Sequence, residues 1–258
     1  MGTLGIYSFP RSGSNWLRKI VHEMLRLAGG AGDFDVRVDA PDIHTESYND
    51  RRIFRINDED WSLYKSHGKS PVYAIKGEDI NTDIYIYILR HPLDVFLSHL
   101  NYAYIEKSGF QDRMYIDIDT VQNLKRSRNL KYFFSSFMLH GTIDPTFVEA
   151  GSWFESAENW TDLSNKHDNV FLIRYEDLCR NPLVALSTLK RCLPWSSDDI
   201  VTSSLFAANA SSPKDGKFNW QQRPGYFEKM LPKEMQSEFF SVHGERAMRH
   251  GYGPTIVI

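Results

Sequence analysis

No stretch of this 258-residue chain approaches the roughly 18 consecutive apolar residues that a membrane-spanning helix needs. From Met1 the chain runs directly into Leu4-Gly5-Ile6-Tyr7-Ser8-Phe9, with no basic region ahead of a long apolar stretch. No signal peptide is therefore expected, and a cytoplasmic location is predicted. Cysteine is scarce. Cys179 and Cys192 match no disulfide or metal framework, which fits a reducing compartment and leaves no metal site to predict. Net charge is small as well: 30 Lys and Arg stand against 33 Asp and Glu, for a formal charge of −3. With no basic runs, the chain lacks the electrostatic footprint of a nucleic-acid binder, so any anion site must be local. Internal repeats and low-complexity tails are missing too. At 41% hydrophobic residues the length suits one large α/β domain over residues 1–258 better than two small ones.

Within those bounds a grammar recurs. Residues 4–9 read as a short buried strand, and after Pro10-Arg11-Ser12-Gly13 the apolar positions change to Trp16, Leu17, Ile20, Val21, Met24 and Leu25, which is helix spacing. Gly29-Gly30 stops that helix, and Ser14 or Asn15 sits at its start. The pattern returns at Ile84-Tyr85-Ile86-Tyr87-Ile88-Leu89, followed by Arg90-His91-Pro92 and a helix through Val95, Leu97 and Tyr102. A third copy is Val170-Phe171-Leu172-Ile173, then a short linker and a helix from Pro182 to Leu193. Strands without polar alternation, each leading into a helix, predict a central parallel sheet flanked by helices. Aromatic clusters at Tyr132-Phe133-Phe134, Trp153-Phe154 and Trp160 are core candidates, some of which could line an acceptor pocket. Asn209 to Arg223, rich in Ser, Lys, Asp and Gly, reads as a mobile surface loop.

The turn Phe9-Pro10-Arg11-Ser12-Gly13-Ser14-Asn15-Trp16 joins the first strand to the first helix. A helix amino terminus presents backbone N–H groups and the positive end of its dipole, which favours an anion. Ser12, Ser14 and Asn15 add side-chain donors, and Arg11 adds a forked positive charge. The segment is P-loop-like but no Walker A loop, because GxxxxGK followed by Ser or Thr is not present to hold Mg²⁺. Arg90 closes another buried strand and Ser98 follows it by eight residues, so the pair could grip a second phosphate.

These two segments resemble the phosphate-binding motifs of the cytosolic-type sulfotransferases that use 3′-phosphoadenosine 5′-phosphosulfate (PAPS). Phe9 to Trp16 is similar to the family's YPKSGTTW, and Arg90 to Ser98 to its RNPKDVxVS. Arg174-Tyr175-Glu176-Asp177-Leu178 resembles the family's YEDM segment, and Arg223-Pro224-Gly225 its late RKG segment. The resemblance implies that Arg11, Ser12, Gly13, Ser14 and Asn15 hold the 5′-phosphosulfate and that Trp16 stacks on adenine. It likewise places Arg90, Ser98, Arg223 and Gly225 at the 3′-phosphate and Tyr175 at the adenine, with Ser204 and Phe206 further candidates in a TSF-like segment. The product left in the site would be 3′,5′-adenosine bisphosphate (PAP).

In the family a Lys of the first loop neutralises the leaving oxygen, and Arg11 stands at that position here. Arginine stays charged, so its role should be electrostatic. A hydroxyl acceptor also needs a base. The family's base is a His in a K-T-H segment, and Lys65-Ser66-His67 fits it, with His67 lying 23 residues ahead of Arg90. A rival alignment puts Ile75-Lys76-Gly77-Glu78 there and makes Glu78 the base. His67 is preferred because histidine titrates near neutrality, whereas Glu78 would need burial. The late segment is shortened and carries Pro224 in place of its Lys, and Asn15 replaces a Thr. The short chain resembles natural-product sulfotransferases, which implies a small-molecule acceptor. A Mg²⁺-ATP-dependent small-molecule kinase is the second reading, and a nucleotide-binding module without catalysis the third.

Overall fold

The computed structural model describes residues 1–29, 35–72, 74–75, 78–103, 128–210 and 224–255. Four parallel strands form its centre: β1 (Gly2–Ser8), β3 (Glu59–Ser66), β6 (Ile84–Leu89) and β7 (Val170–Arg174). β2 (Phe54–Ile56) adds an antiparallel edge, giving the order β2-β3-β1-β6-β7. A separate ribbon pairs β4 (Ala74–Ile75) with β5 (Glu78–Asp79).

β6 shows why the strands lack polar alternation. Ile84, Ile86 and Ile88 join Leu4, Ile6 and Leu63 in one buried cluster, while Tyr85, Tyr87 and Leu89 join Tyr7, Tyr64 and Trp160 in another. Both faces are covered, so both sets must be apolar. The first face is covered by α1 (Ser14–Gly29), α5 (Tyr175–Arg180), α6 (Pro182–Cys192) and α7 (Asp198–Ala210). The second is covered by α2 (Pro92–Ala103), α3 (Arg128–His140), α4 (Trp153–Lys166) and α8 (Lys233–Arg249). This is a single α/β domain with a mostly parallel sheet between two helical layers.

Several expectations take a sharper form. The aromatic clusters are chiefly core: Phe133, Phe134, Trp153, Phe154 and Trp160 are buried, whereas Tyr132 is exposed. The expected linker after the Val170 strand is the helix α5, so the two cysteines sit on separate helices, both as free thiols. Of the expected loop at Asn209 to Arg223, Asn209 and Ala210 close α7, and residues 211–223 lie outside the described residues. Among the described residues, no helix is long and apolar enough to cross a membrane. No group of three or more His, Cys, Asp and Glu among them could hold a metal ion.

The strand register places the site. Tyr7 of β1 pairs with Ser66 of β3, Ser8 with Ile88 of β6, and Leu89 with Arg174 of β7, so four strands end on one line. Just beyond that line follow the Arg11 loop, His67, Arg90 and Tyr175. A buried tyrosine fixes the start of the loop: the Tyr87 hydroxyl accepts from the Phe9 N–H at 3.3 Å and shares a hydrogen bond with Ser156 Oγ at 2.7 Å. Tyr87→Phe strips both groups of this partner while keeping the ring. It should lower unfolding stability by about 1–3 kcal/mol, read as a lower urea midpoint with unchanged slope; an unchanged midpoint would show that the hydroxyl adds nothing.

Candidate active site

The loop after β1 is bent by two left-handed residues. Gly13 has φ 103°, and a Cβ there would lie 2.5 Å from the Tyr175 ring, so glycine is required twice over. Arg11 has φ 69° with a full side chain, a conformation that costs about 1–3 kcal/mol and tends to persist where surrounding structure imposes it. The Ser12 N–H donates to the Phe9 carbonyl at 3.2 Å, closing the turn. Trp16 and Leu17 N–H groups donate to Gly13 O, so α1 starts immediately after the loop. Ser12 and Ser14 are buried, and Asn15 is exposed.

Arg11 and Arg90 lie next to each other. Arg90 Nη1 donates to the Arg11 carbonyl at 3.3 Å, and its guanidinium lies 4.3 Å over the Tyr175 ring. The Arg90 carbonyl accepts from Trp153 Nε1–H at 3.0 Å, which fixes the backbone from below. Arg90 is 8% exposed, and its Nε has no hydrogen-bond partner among the described residues. Arg11 lies over the Tyr102 ring at 4.9 Å. Burial, and then the charge of Arg90, pull the Arg11 guanidinium down to about 10, so it stays a cation at neutral pH at an electrostatic cost. Burial also opposes the Arg90 charge, but Tyr175, Asp94 and Glu176 together raise its pKa. Two adjacent guanidiniums, Arg90 buried and Arg11 partly buried, suit a polyanion.

The elements around them complete the site. Ser98 lies on α2 and is largely buried. Asp94, on the first turn of α2, accepts from Gly225 N–H at 2.7 Å and Phe227 N–H at 2.9 Å. That contact ties the carboxyl-terminal segment to the helix that begins beside Arg90, bringing Gly225 to the site. Arg223 lies outside the described residues. Trp16 is half-buried, its ring edge-on to Tyr175 at 6.1 Å and its Nε1–H donating to Asn209 Oδ1 at 3.1 Å. The α7 candidates differ from one another. Ser204 is buried with its hydroxyl donating to Ile200 O at 2.6 Å, whereas Phe206 is 73% exposed.

Of the two candidate bases, His67 follows β3 directly and lies beside Ser8, at the end of β1. Its Nδ1 lies 3.0 Å from the carbonyl oxygen of Ser8, which can only accept, so Nδ1 carries the proton and Nε2 the lone pair. Burial, followed by the charge of Lys65, pushes the imidazole well below the usual histidine range, so it is neutral at physiological pH. Glu78 belongs to the β4–β5 ribbon, where it pairs with Ile75. A buried histidine on α2, His99, was not singled out from the sequence. Burial and then Arg11 lower it to about 4. Asp94, Asn209 and Tyr102 were also not singled out; Asp94 alone lay inside a quoted motif, while the other two act through contacts across the fold.

The family model of the sulfotransferase domain matches residues 3–241. Among solved structures, the mouse sulfotransferase SULT7A1 complexed with PAP superposes with a TM-score of 0.60 at 17% identity, over 95% of this chain and 84% of that one. A retinol dehydratase in complex with androsterone and the inactive cofactor PAP gives 0.57 at 13% identity, over 95% and 80%. Another retinol dehydratase structure, with retinol and PAP, gives 0.53 at 12%, over the same shares. No curated protein matches the chain in sequence. With the family model spanning most of its length and the fold repeated in these structures, the chain belongs to the sulfotransferase family.

Proposed function

We propose that this protein transfers a sulfuryl group from PAPS to a hydroxyl or amine of a small-molecule acceptor, a natural product among the candidates. The observation that supports this most directly is that Arg11 and Arg90 lie next to each other at the strand ends. A donor with a 5′-phosphosulfate and a 3′-phosphate supplies two anionic groups for two cationic grips. In this reading Arg11 and the amides and hydroxyls of Ser12, Gly13, Ser14 and Asn15 hold the phosphosulfate end. Arg90, Ser98, Arg223 and Gly225 hold the 3′-phosphate, with Trp16 and Tyr175 at the adenine and Ser204 and Phe206 further candidates there. PAP bound in retinol dehydratase and the mouse enzyme agrees with this choice of ligand.

When bound, PAPS supplies the sulfuryl group and a phosphate leaving group. Arg11 then faces the negative charge that grows on the leaving oxygen, which a fixed cation stabilises more in the transition state than in the ground state. It gives no proton. His67, neutral and unprotonated at Nε2, takes the acceptor's proton as the nucleophile attacks. The backbone holds the two groups in a fixed relation, since His67 is bonded to Ser8 and Arg11 follows Ser8 by three residues.

PAP without metal should raise the thermal midpoint of the protein, since a ligand present at about 100 times its Kd adds about 2.7 kcal/mol to native stability. Stabilisation by Mg²⁺-ATP alone would instead favour a kinase, and the decisive positive is sulfonate found by mass spectrometry on an acceptor incubated with PAPS. Arg11→Ala should lower kcat about 10²–10³-fold while PAP affinity falls less than about tenfold; equal losses would contradict a transition-state role. His67→Ala should lower kcat about 10²–10⁴-fold with Glu78→Gln near wild type, and the reverse outcome would move the base to the β4–β5 ribbon.

A further inference from the structure

The lone pair of His67 is occupied. Lys65 Nζ lies 2.9 Å from His67 Nε2 and donates to it, because the other ring nitrogen already gives its proton to Ser8. Lys65 is 2% exposed, and a buried ammonium needs a counter-charge. That counter-charge is Asp42, whose Oδ2 pairs with Lys65 Nζ and lies 3.9 Å from His67 Nε2. The backbone enforces the arrangement: Asp42 and Lys65 form an isolated parallel bridge, with Lys65 N–H donating to Pro41 O at 2.8 Å and Ile43 N–H to Lys65 O at 3.0 Å.

We propose that Asp42 is a positioning residue for the transfer, holding Lys65 against Nε2 of His67 and supplying the negative charge that lets His67 take the acceptor's proton. This rests on His67 being the base. Before transfer the cluster holds Asp42⁻, Lys65⁺ and neutral His67. As the acceptor oxygen or nitrogen forms its bond to sulfur, the bond from sulfur to the 5′-phosphate oxygen breaks and its electron pair leaves with PAP, while the acceptor's O–H or N–H bond breaks, its proton going to Nε2 and its electron pair staying on the acceptor atom. Lys65 keeps its protons and turns its donor from Nε2 to the carboxylate. The cluster then holds Asp42⁻, Lys65⁺ and His67⁺. Without Asp42 two buried cations would face each other at 2.9 Å.

Other charged or titratable groups bear on the cluster. His44 accepts the His67 N–H at Nε2 (2.9 Å) and stacks on its ring at 6.0 Å; Glu149 acts on His44, and Arg18 and Glu46 act on Lys65. Of these, Asp42 is the carboxylate paired with Lys65 and within 4 Å of His67. Burial and Lys65 lower the His67 pKa while Asp42 raises it, so the lysine and the aspartate act on the imidazole in opposite senses.

The test compares wild type, Asp42→Asn, Asp42→Glu and Lys65→Met in the full chain. The His67 imidazole is followed by long-range ¹H–¹⁵N NMR against pH and assigned with His67→Ala. Asp42→Asn should move the His67 midpoint at least about one pH unit down, a tenfold loss of proton affinity, or keep the ring neutral wherever the protein stays folded. Lys65→Met should move it up. In the transfer assay Asp42→Asn should lower kcat at least about tenfold with the PAPS KM held within about twofold, and Asp42→Glu should restore part of it. Shifts of the same sign, no shift, or a loss shared equally by kcat and KM would overturn the proposal. Should Asp42→Asn not fold, an unmoved or lowered midpoint in Lys65→Met would still overturn it. A fully active His67→Ala would refute His67 as the base whatever the titrations show, so the two failures are distinguishable.

Discussion

Everything at the strand ends depends on two guanidiniums held next to each other. Arg90 is pinned by its own hydrogen bond to the Arg11 carbonyl and by the Trp153 indole on its backbone. Arg11 is held in a left-handed conformation that a non-glycine residue adopts only under constraint. Burial, and then the charge of Arg90, lowers the Arg11 pKa. Such a pair raises the energy of the empty site and lowers that of the filled one. A doubly anionic ligand therefore gains affinity from a strain that the fold maintains in advance.

The fold maintains it through the packing beneath. Tyr175 sits against the Gly13 backbone on one side and the Arg90 guanidinium on the other, so one buried ring sets the gap between the two grips. Tyr87, reaching up from β6, holds the Phe9 amide at the start of the loop. Asp94 draws in the segment from Gly225 to Phe227 over more than 130 positions of sequence. Each of these contacts holds a segment near the carboxyl ends of the parallel strands. In open α/β sheets, that is where ligands bind.

The apolar strands, the helices after β1 and β6, and the loop with its glycine were legible, because burial on both faces and helix spacing leave direct traces in composition. β3 was not. Its sequence Glu-Asp-Trp-Ser-Leu-Tyr-Lys-Ser buries Ser62, Lys65 and Ser66, so it looks polar until their partners are known. Lys65 is tolerated in the interior only because Asp42, 23 residues earlier, lies beside it, and no local pattern announces such a pair. α5 was taken for a linker because six residues are too few for a period to show. Within the site, motif position led to Arg11, Arg90, Tyr175 and His67, which lie together. It could not distinguish Ser204, whose hydroxyl is consumed within its own helix, from Phe206, which stands in solvent.

Substituting arginine for lysine in the phosphate loop makes sense in this setting. A lysine beside Arg90 in a desolvated site would be free to shed its proton, since burial and a neighbouring cation both lower its pKa. A guanidinium under the same pressure, brought down to about 10, remains charged at neutral pH. The proposed transfer sets the opposite requirement on the other side of Ser8, where it needs the His67 imidazole neutral before transfer and charged after it. There the chain places a carboxylate and an ammonium together, so that the ring can gain a proton without leaving the interior with uncompensated positive charge. In the proposed transfer one strand end thus separates a cation that never changes from a base that must, with the peptide from Ser8 to Arg11 between them.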